Sequence, residues 1–154
     1  MSAYAPLFAH TDAWQWTPNL IWFDNLRSFG TPNYYVQQLF AANRGEQVLP
    51  ITRDGKAIEG QDGLFASAVT LNNGQAFVVK VVNSTAEPMP IRIEVPGAPT
   101  AAGEAIVLAA DPLAENSLAH PDRVKPKQER VAVNAGVIER TLPAYSLTVL
   151  RPAR

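Results

Sequence analysis

From residue 46 onward, apolar and polar positions alternate with a period of two, which is the period that predicts β-strands. The longest such stretch is 64–71, with Phe65 and Val69 on one face and Leu64 and Ala68 on the other. Apolar residues therefore occur on both faces. We expect this strand to be covered on both sides.

The tripeptide Asn72-Asn73-Gly74 follows this stretch and predicts a hairpin, because Asn and Gly tolerate the positive φ that a type I′ turn requires. A return strand is expected over 75–83, with Phe77, Val79 and Val81 on one face. Further strands are predicted near 91–95, 104–110, 129–133, 137–142 and 145–151. Seven or eight short strands separated by Pro and Gly turns predict an antiparallel β-sandwich, since a parallel α/β sheet would need helices between them.

The first 45 residues carry a helical pattern. The apolar side chains that recur at spacings of three and four are Tyr35, Val36, Leu39 and Phe40. Thr31 is placed to act as the N-cap, and Pro32 suits the first helical position. Gly45 stands where a left-handed C-cap is expected. These signals predict a helix over 31–44.

All three tryptophans of the chain, Trp14, Trp16 and Trp22, precede this helix. They lie in a segment that is expected to be a long loop, which runs from a short strand at 4–9 to Gly30. An indole ring offers a flat apolar face and an N–H donor, so such a cluster either forms a core or lines a binding site.

Composition narrows the classes of partner. The 154 residues carry a formal net charge of −1 without a basic run, which argues against nucleic acid and anionic membranes as partners. The first ten residues have no positive leader and are interrupted by Pro6, so we expect neither a signal peptide nor a membrane span there. The absence of cysteine is compatible with either redox environment, and the compartment stays open.

Several longer motifs occur in order along the chain. Those before residue 46 are Tyr4-Ala-Pro-Leu-Phe-Ala-His, Ala13-Trp-Gln-Trp-Thr-Pro-Asn-Leu-Ile-Trp-Phe-Asp-Asn and Thr31-Pro-Asn-Tyr-Tyr-Val-Gln-Gln-Leu-Phe. Those after it are Gly60-Gln-Asp-Gly-Leu-Phe-Ala-Ser-Ala, Ala114-Glu-Asn-Ser-Leu and Leu142-Pro-Ala-Tyr-Ser-Leu-Thr-Val-Leu. Together they closely resemble the C-terminal part of the α-L-arabinofuranosidases of glycoside hydrolase family 51, over nearly the whole chain.

This resemblance implies a mainly β chain. A jelly-roll-like antiparallel β-sandwich at 46–154 would follow a strand–loop–helix remnant of a (β/α)8 barrel at 1–45. The family hydrolyses terminal non-reducing α-L-arabinofuranosides of arabinan and arabinoxylan by a retaining mechanism. Its two catalytic glutamates lie on earlier barrel strands, upstream of anything that matches this chain. The resemblance therefore assigns no catalytic residue here, and the chain alone is expected to be inactive.

The resemblance also points to binding residues. In the family, the loop after the last barrel strand lies at the rim of the active site. This implies that Trp14, Gln15 and Trp16 line the sugar pocket of the parent enzyme, whereas core packing is expected for Trp22.

The remaining polar candidates are given structural interpretations. Asp12 and Asp24 stand beside turn-forming residues and are expected to shape turns, and Glu115 is expected to make a loop contact. His10 and His120 lack the paired spacing of metal ligands, which favours surface or loop histidines. No metal site and no cofactor site is predicted, and the sequence carries no phosphate-binding loop and no nucleophile elbow.

Three functions stay open at this point. The favoured one is the C-terminal part of an arabinofuranosidase. The second is a non-catalytic carbohydrate-binding sandwich, which needs exposed aromatic residues, whereas Phe65, Phe77 and Tyr145 stand in strands where burial is expected. The third is a module that docks on a separately encoded barrel. The partners expected are arabinose-containing oligosaccharides or polysaccharides through the parent enzyme, the missing catalytic barrel, and a second copy through self-association.

Overall fold

The computed structural model describes residues 4–96 and 101–152 and is mainly β. It divides into two compact units. The first contains Met1–Ala42 and Asp111–Lys125, and the second contains Asn43–Ala110 and Pro126–Arg154. The domain boundary between residues 45 and 46 stays a prediction. The structural division falls after Ala42 and assigns the segment 111–125 to the first unit.

The first unit holds three short strands and one α-helix. These are β1 (Phe8–His10), β2 (Ile21–Phe23), β3 (Ser28–Gly30) and α1 (Pro32–Ala42). The strands form one sheet in the order β1-β2-β3, in which β1 and β2 are parallel and β2 and β3 are antiparallel. Two strands therefore lie where the sequence predicted only a loop, and that prediction was wrong.

The predicted strand at 4–9 is also displaced. Pro6 has no N–H to give to a sheet ladder, and the segment 4–7 is not a strand. The carbonyl oxygens of Pro6 and Leu7 instead accept the N–H groups of Leu20 and Ile21, at 3.2 and 3.0 Å. The chain is thereby anchored just before β1 begins.

Helix α1 confirms the prediction made for 31–44, although it ends two positions earlier, at Ala42. The Thr31 carbonyl accepts the N–H of Tyr34 at 3.0 Å, and its hydroxyl donates to the carbonyl of Leu20 at 3.0 Å. Gly45 does not have the positive φ of the expected C-cap. A side chain there would overlap Val69, so this glycine is required by close packing. No helix in the described ranges is long and apolar enough to cross a membrane.

The second unit is an antiparallel β-sandwich. Its strands are β4 (Gln47–Leu49), β5 (Thr52–Arg53), β6 (Lys56–Ala57), β7 (Leu64–Leu71), β8 (Ala76–Asn83), β9 (Met89–Glu94), β10 (Ala101–Ala109), β11 (Lys127–Val133), β12 (Val137–Leu142) and β13 (Ser146–Pro152). The main layer is a six-stranded sheet in the order β11-β10-β13-β8-β7-β4. A two-stranded sheet of β9 and β12 forms the facing layer, and β5 pairs with β6.

The predicted hairpin joins β7 to β8. Asn72 and Asn73 have φ of 53° and 56°, and Gly74 follows with φ 85°. The N–H of Gly74 bonds to the carbonyl of Leu71 at 3.1 Å and closes the turn. Asparagine tolerates this left-handed backbone better than most residues, so the Asn-Asn-Gly run fixes the strand register.

The core lies between the two layers of the sandwich. Val79 and Val81 of β8 pack with Leu150 of β13 and with Ile138 and Leu142 of β12. The predicted shared face of Phe77, Val79 and Val81 is confirmed, and it is turned to this core. A buried aliphatic side chain contributes about 1.5–3 kcal/mol through the area it removes from water, and this cluster is the main source of stability in the second unit.

The expected burial of the sandwich aromatics is wrong at two positions. Leu64 and Ala68 of β7 face the core, whereas Phe65 points away and is 47% exposed. The Phe65 ring rests on Gly60, where a Cβ atom would overlap it, and its other surface is open. Tyr145 lies just before β13 and is 41% exposed.

Candidate functional site

The loop 11–20 runs from the C-terminal end of β1 to the start of β2 and carries Trp14, Gln15 and Trp16. The N–H of Thr11 bonds to the carbonyl of Phe23 at 2.9 Å, which holds the start of the loop beside the end of β2. The loop thus begins where two parallel strands end. That edge is the one at which (β/α)8 barrels place their active sites.

Trp14 is an exposed aromatic ring with a rigid support. Its indole is 52% exposed and meets Trp22 edge to face, with ring centroids 5.9 Å apart and an interplanar angle of 82°. Trp22 itself is half-buried in β2. An edge-to-face contact of this kind stabilises both rings, by about 0.5–1.5 kcal/mol. One face of Trp14 can therefore meet a ligand without having to be ordered first.

The buried side chain of Asn19 holds the tip of the loop in place. This side chain is 1% exposed and donates from Nδ2 to the carbonyl of Trp16 at 2.7 Å. Gln15 and Trp16 project from the same tip, and Trp16 is 63% exposed. Sequence reasoning missed Asn19, because an asparagine after a proline in a loop carries no signal of burial.

His10 is held by its neighbours at the end of β1. Its Nδ1 lies 3.1 Å from the backbone N–H of Asp12, which donates to it, and its Nε2 lies 3.4 Å from Oδ1 of Asn25. The imidazole stands edge to face with Phe23, with centroids 5.2 Å apart. Strand alternation puts His10 and Phe23 on the face of the sheet opposite to Trp22, so His10 is not brought together with Trp14.

Asp24 shapes the turn after β2, as the sequence predicted. Its Oδ1 accepts the N–H groups of Leu26 and Arg27 at 2.8 and 2.6 Å, and its Oδ2 pairs with Nη2 of Arg27 at 2.9 Å. These bonds, led by the one from Leu26, hold the pKa of Asp24 below its ordinary value. Both oxygens of the Asp24 carboxylate are therefore engaged in bonds within the turn.

Asp12 lies within the loop and is exposed, and two further candidates lie outside the loop in sequence. Glu115 and His120 lie in the segment 111–125 and are exposed. No group of three His, Cys, Asp or Glu residues within the described ranges is arranged to hold a metal ion. What the site offers is therefore the supported Trp14 ring with Gln15 and Trp16 beside it, a surface suited to stacking and hydrogen bonding.

Comparison with known families decides the identity of this architecture. The family described as "Alpha-L-arabinofuranosidase C-terminal domain" matches residues 1–146. The chain belongs to this family. The resemblance drawn from the sequence motifs is thereby confirmed. In this chain, the C-terminal domain consists of the two compact units described above, the first of which carries the Trp14 loop.

Curated relatives of the domain are arabinofuranosidases. The chain is 34% identical to the probable α-L-arabinofuranosidase A of Aspergillus terreus, over 97% of this chain and 23% of the relative. It is 37% identical to the probable α-L-arabinofuranosidase A of Aspergillus flavus, with the same coverage. The chain thus spans about a quarter of the length of the curated relatives it matches.

Solved structures share the fold. An arabinose-bound MgGH51 α-L-arabinofuranosidase superposes with a TM-score of 0.85 at 24% identity, over 98% of this chain and 24% of the other. The arabinose complex of the Thermotoga maritima α-L-arabinofuranosidase gives a TM-score of 0.73 at 18% identity, over 88% and 32%. These likenesses show that the C-terminal domain adopts the fold found in such enzymes.

Proposed function

We propose that this domain works as the C-terminal part of an α-L-arabinofuranosidase. It supplies an accessory β-sandwich and, through Trp14, Gln15 and Trp16, part of the rim of the sugar pocket. The ligand is an arabinose-containing oligosaccharide or polysaccharide, and the catalytic carboxyl groups come from another part of the enzyme. The support of Trp14 by Trp22 is the observation that carries this proposal.

The carboxylate of Asp24, close to the loop, supports the assignment of catalysis to another part of the enzyme. Retaining hydrolysis needs two carboxyl groups about 5–5.5 Å apart, one of which must be protonated to act as the acid. Asp24 has a lowered pKa and is bonded to Arg27, which is the opposite of what an acid requires. Asp24 is therefore not suited to proton donation.

The binding role can be tested by fluorescence, since all three tryptophans lie in the first unit. The chain is titrated with an arabino-oligosaccharide and, as a control ligand, with a xylo-oligosaccharide of the same length. We expect a saturable change in emission that is specific for the arabinose polymer. Trp14→Ala should weaken binding about 2- to 10-fold, the range expected for one aromatic contact.

A matched control is Phe40→Ala, which removes an aromatic ring that is 44% exposed in the same unit but far along the chain from the loop. This change should leave the affinity unchanged. If the Trp14→Ala variant binds the sugar as tightly as the unsubstituted chain, Trp14 is not part of the binding surface and the proposal is contradicted.

The exposure of Phe65 and Tyr145 favours a second candidate function, a non-catalytic carbohydrate-binding sandwich. Exposed rings on strands can also stack on sugars. The two functions make opposite predictions when the affinities are measured by isothermal titration calorimetry, which detects binding in either unit. If the sandwich binds the sugar, Phe65→Ala lowers affinity and Trp14→Ala does not.

The catalytic barrel is the proposed partner of the first unit. Among the described strands, β1 lies at an edge of its sheet; Leu7, just before it, and Phe8, its first residue, are 48% and 59% exposed. Unpaired edges with apolar side chains promote association with another chain. Without a barrel, we therefore propose self-association of the chain. Sedimentation velocity should show concentration-dependent dimers, which Phe8→Lys reduces, and a chain that stays monomeric at all concentrations would contradict this.

A further inference from the structure

A pocket of about 220 Å³ lies in the first unit, away from the Trp14 loop. It is formed by the end of the β2–β3 sheet, the first turn of α1 and the tip of the segment 111–125. The side chains that the argument uses are Ser28, Tyr34, Tyr35 and Asp122. None of Trp14, Gln15 and Trp16 lines it. Its volume is below the range of about 300–1,000 Å³ for drug-sized ligands and suits a smaller molecule.

The wall contributed by the segment 111–125 is held in place by Asn116. This side chain is 6% exposed, and its Nδ2 donates to the carbonyls of Gly30 and Val124, both at 2.9 Å. Its Oδ1 accepts the N–H of Val124 at 2.7 Å. One buried amide therefore closes the segment on itself and ties it to the end of β3. A buried group with all these partners is costly to displace, so the wall is rigid.

The opposite wall is aromatic and equally constrained. Tyr34 and Tyr35 stand edge to face with ring centroids 5.3 Å apart. A Cβ atom on Gly30 would overlap the Tyr34 ring, so the ring lies directly on the backbone at that point. The pocket is therefore formed before any ligand arrives, which lowers the entropic cost of binding.

The chemistry of the lining is mixed. Two tyrosines and Phe29 present aromatic surface, and the hydroxyls of Ser28, Tyr34 and Tyr35 can donate and accept hydrogen bonds. Burial, together with the negative charge of Asp122, raises the pKa of Tyr35, so its hydroxyl stays protonated at neutral pH. A ligand with an apolar ring face and several hydroxyl groups would meet partners for both of its features.

Charge at the rim selects against ions. The Asp122 carboxylate opposes an anionic ligand, and the Lys125 ammonium, 3.0 Å from Oδ2 of Asp122, compensates the charge that would attract a cation. We propose that this pocket is a second binding site, for an uncharged polyhydroxylated molecule of monosaccharide size. It goes beyond the proposed rim function, because it uses none of the residues of the Trp14 loop.

The experiment is an NMR titration of the ¹⁵N-labelled 154-residue chain with L-arabinose. We expect saturable amide shifts at residues 28–31, 33–35 and 122–123, with a Kd on the order of millimolar, as is usual for a ligand of about ten non-hydrogen atoms. Tyr35→Phe should weaken binding about 2- to 10-fold through the loss of one hydrogen bond. Tyr145→Phe removes the same hydroxyl from the sandwich and should change nothing.

A second variant fills the pocket. Ser28 is exposed on β3, where a β-branched side chain is well tolerated, and Ser28→Ile should abolish the shifts while the remaining spectrum is unchanged. Absence of saturable shifts at 28–35 in the parent chain would overturn the proposal. So would tighter binding of tetramethylammonium or inorganic phosphate than of arabinose. Shifts at 14–16 report on the Trp14 loop, so the two sites succeed or fail separately.

Discussion

Truncation of Val79 tests the assignment of the sandwich core most sharply. This side chain is 3% exposed at the centre of β8, opposite Ala68 on β7 and Leu150 on β13. Val79→Ala removes two methyl groups, which corresponds to about 1.6 kcal/mol of lost transfer free energy at about 0.8 kcal/mol per group. The cavity left behind adds to this, because both neighbouring strands are fixed by their ladders. The expected loss in unfolding free energy is about 2–3 kcal/mol.

A control with the same chemistry is available in the same sheet. Val48 lies on the edge strand β4 and is 80% exposed, so Val48→Ala should change stability by less than about 0.5 kcal/mol. Urea denaturation followed by far-UV circular dichroism measures both variants. With a slope of about 2 kcal/mol per molar urea, Val79→Ala should lower the midpoint by about 1–1.5 M. Equal midpoints for the two variants would refute the burial that the structure assigns to Val79.

Two further predictions concern the first unit. Asn116→Ala leaves the part-buried carbonyl of Gly30 and the buried backbone groups of Val124 without this partner, at about 1–3 kcal/mol for each buried group. It should sharply lower hydrogen-exchange protection of the Val124 amide. If the Val124 amide in this variant is as well protected as in the unsubstituted chain, the role assigned to Asn116 is contradicted. The folded-state pKa of Asp24 lies below its ordinary value of 3.8, so its bonds stabilise the turn above pH 3.8 and are lost as the pH falls through the lowered pKa. The amide shifts of Leu26 and Arg27 should follow that titration, and a transition at or above pH 3.8 would contradict it.

The elements predicted correctly from the sequence are those whose signals are local. The Asn72-Asn73-Gly74 turn and the flanking alternation predicted the β7–β8 hairpin, because turn geometry and strand period act over a few residues. Pro32 marked the start of α1 for the same reason. The shared face of Phe77, Val79 and Val81 on β8 followed from its period once the strand was recognised.

The missed features depend on distant partners. Strands β2 and β3 are three residues long, too short for a period to be read, and they exist because they pair with each other and with β1. The place of the Phe65 ring depends on the missing Cβ of Gly60, and the role of Asn116 depends on a carbonyl 86 positions earlier. In the candidate site, the tryptophans could be picked out by composition, whereas the Trp14–Trp22 contact and the support from Asn19 could not.

The central claim is that this domain contributes sugar-binding surface and no catalytic carboxyl pair. The most direct test is to incubate the purified chain with an aryl α-L-arabinofuranoside and to measure release of the aryl group through successive purification steps. The account predicts no turnover, even at concentrations where the Trp14 titration shows bound arabino-oligosaccharide. A constant specific activity that follows the chain through every step, and that approaches that of a full-length arabinofuranosidase, would contradict it.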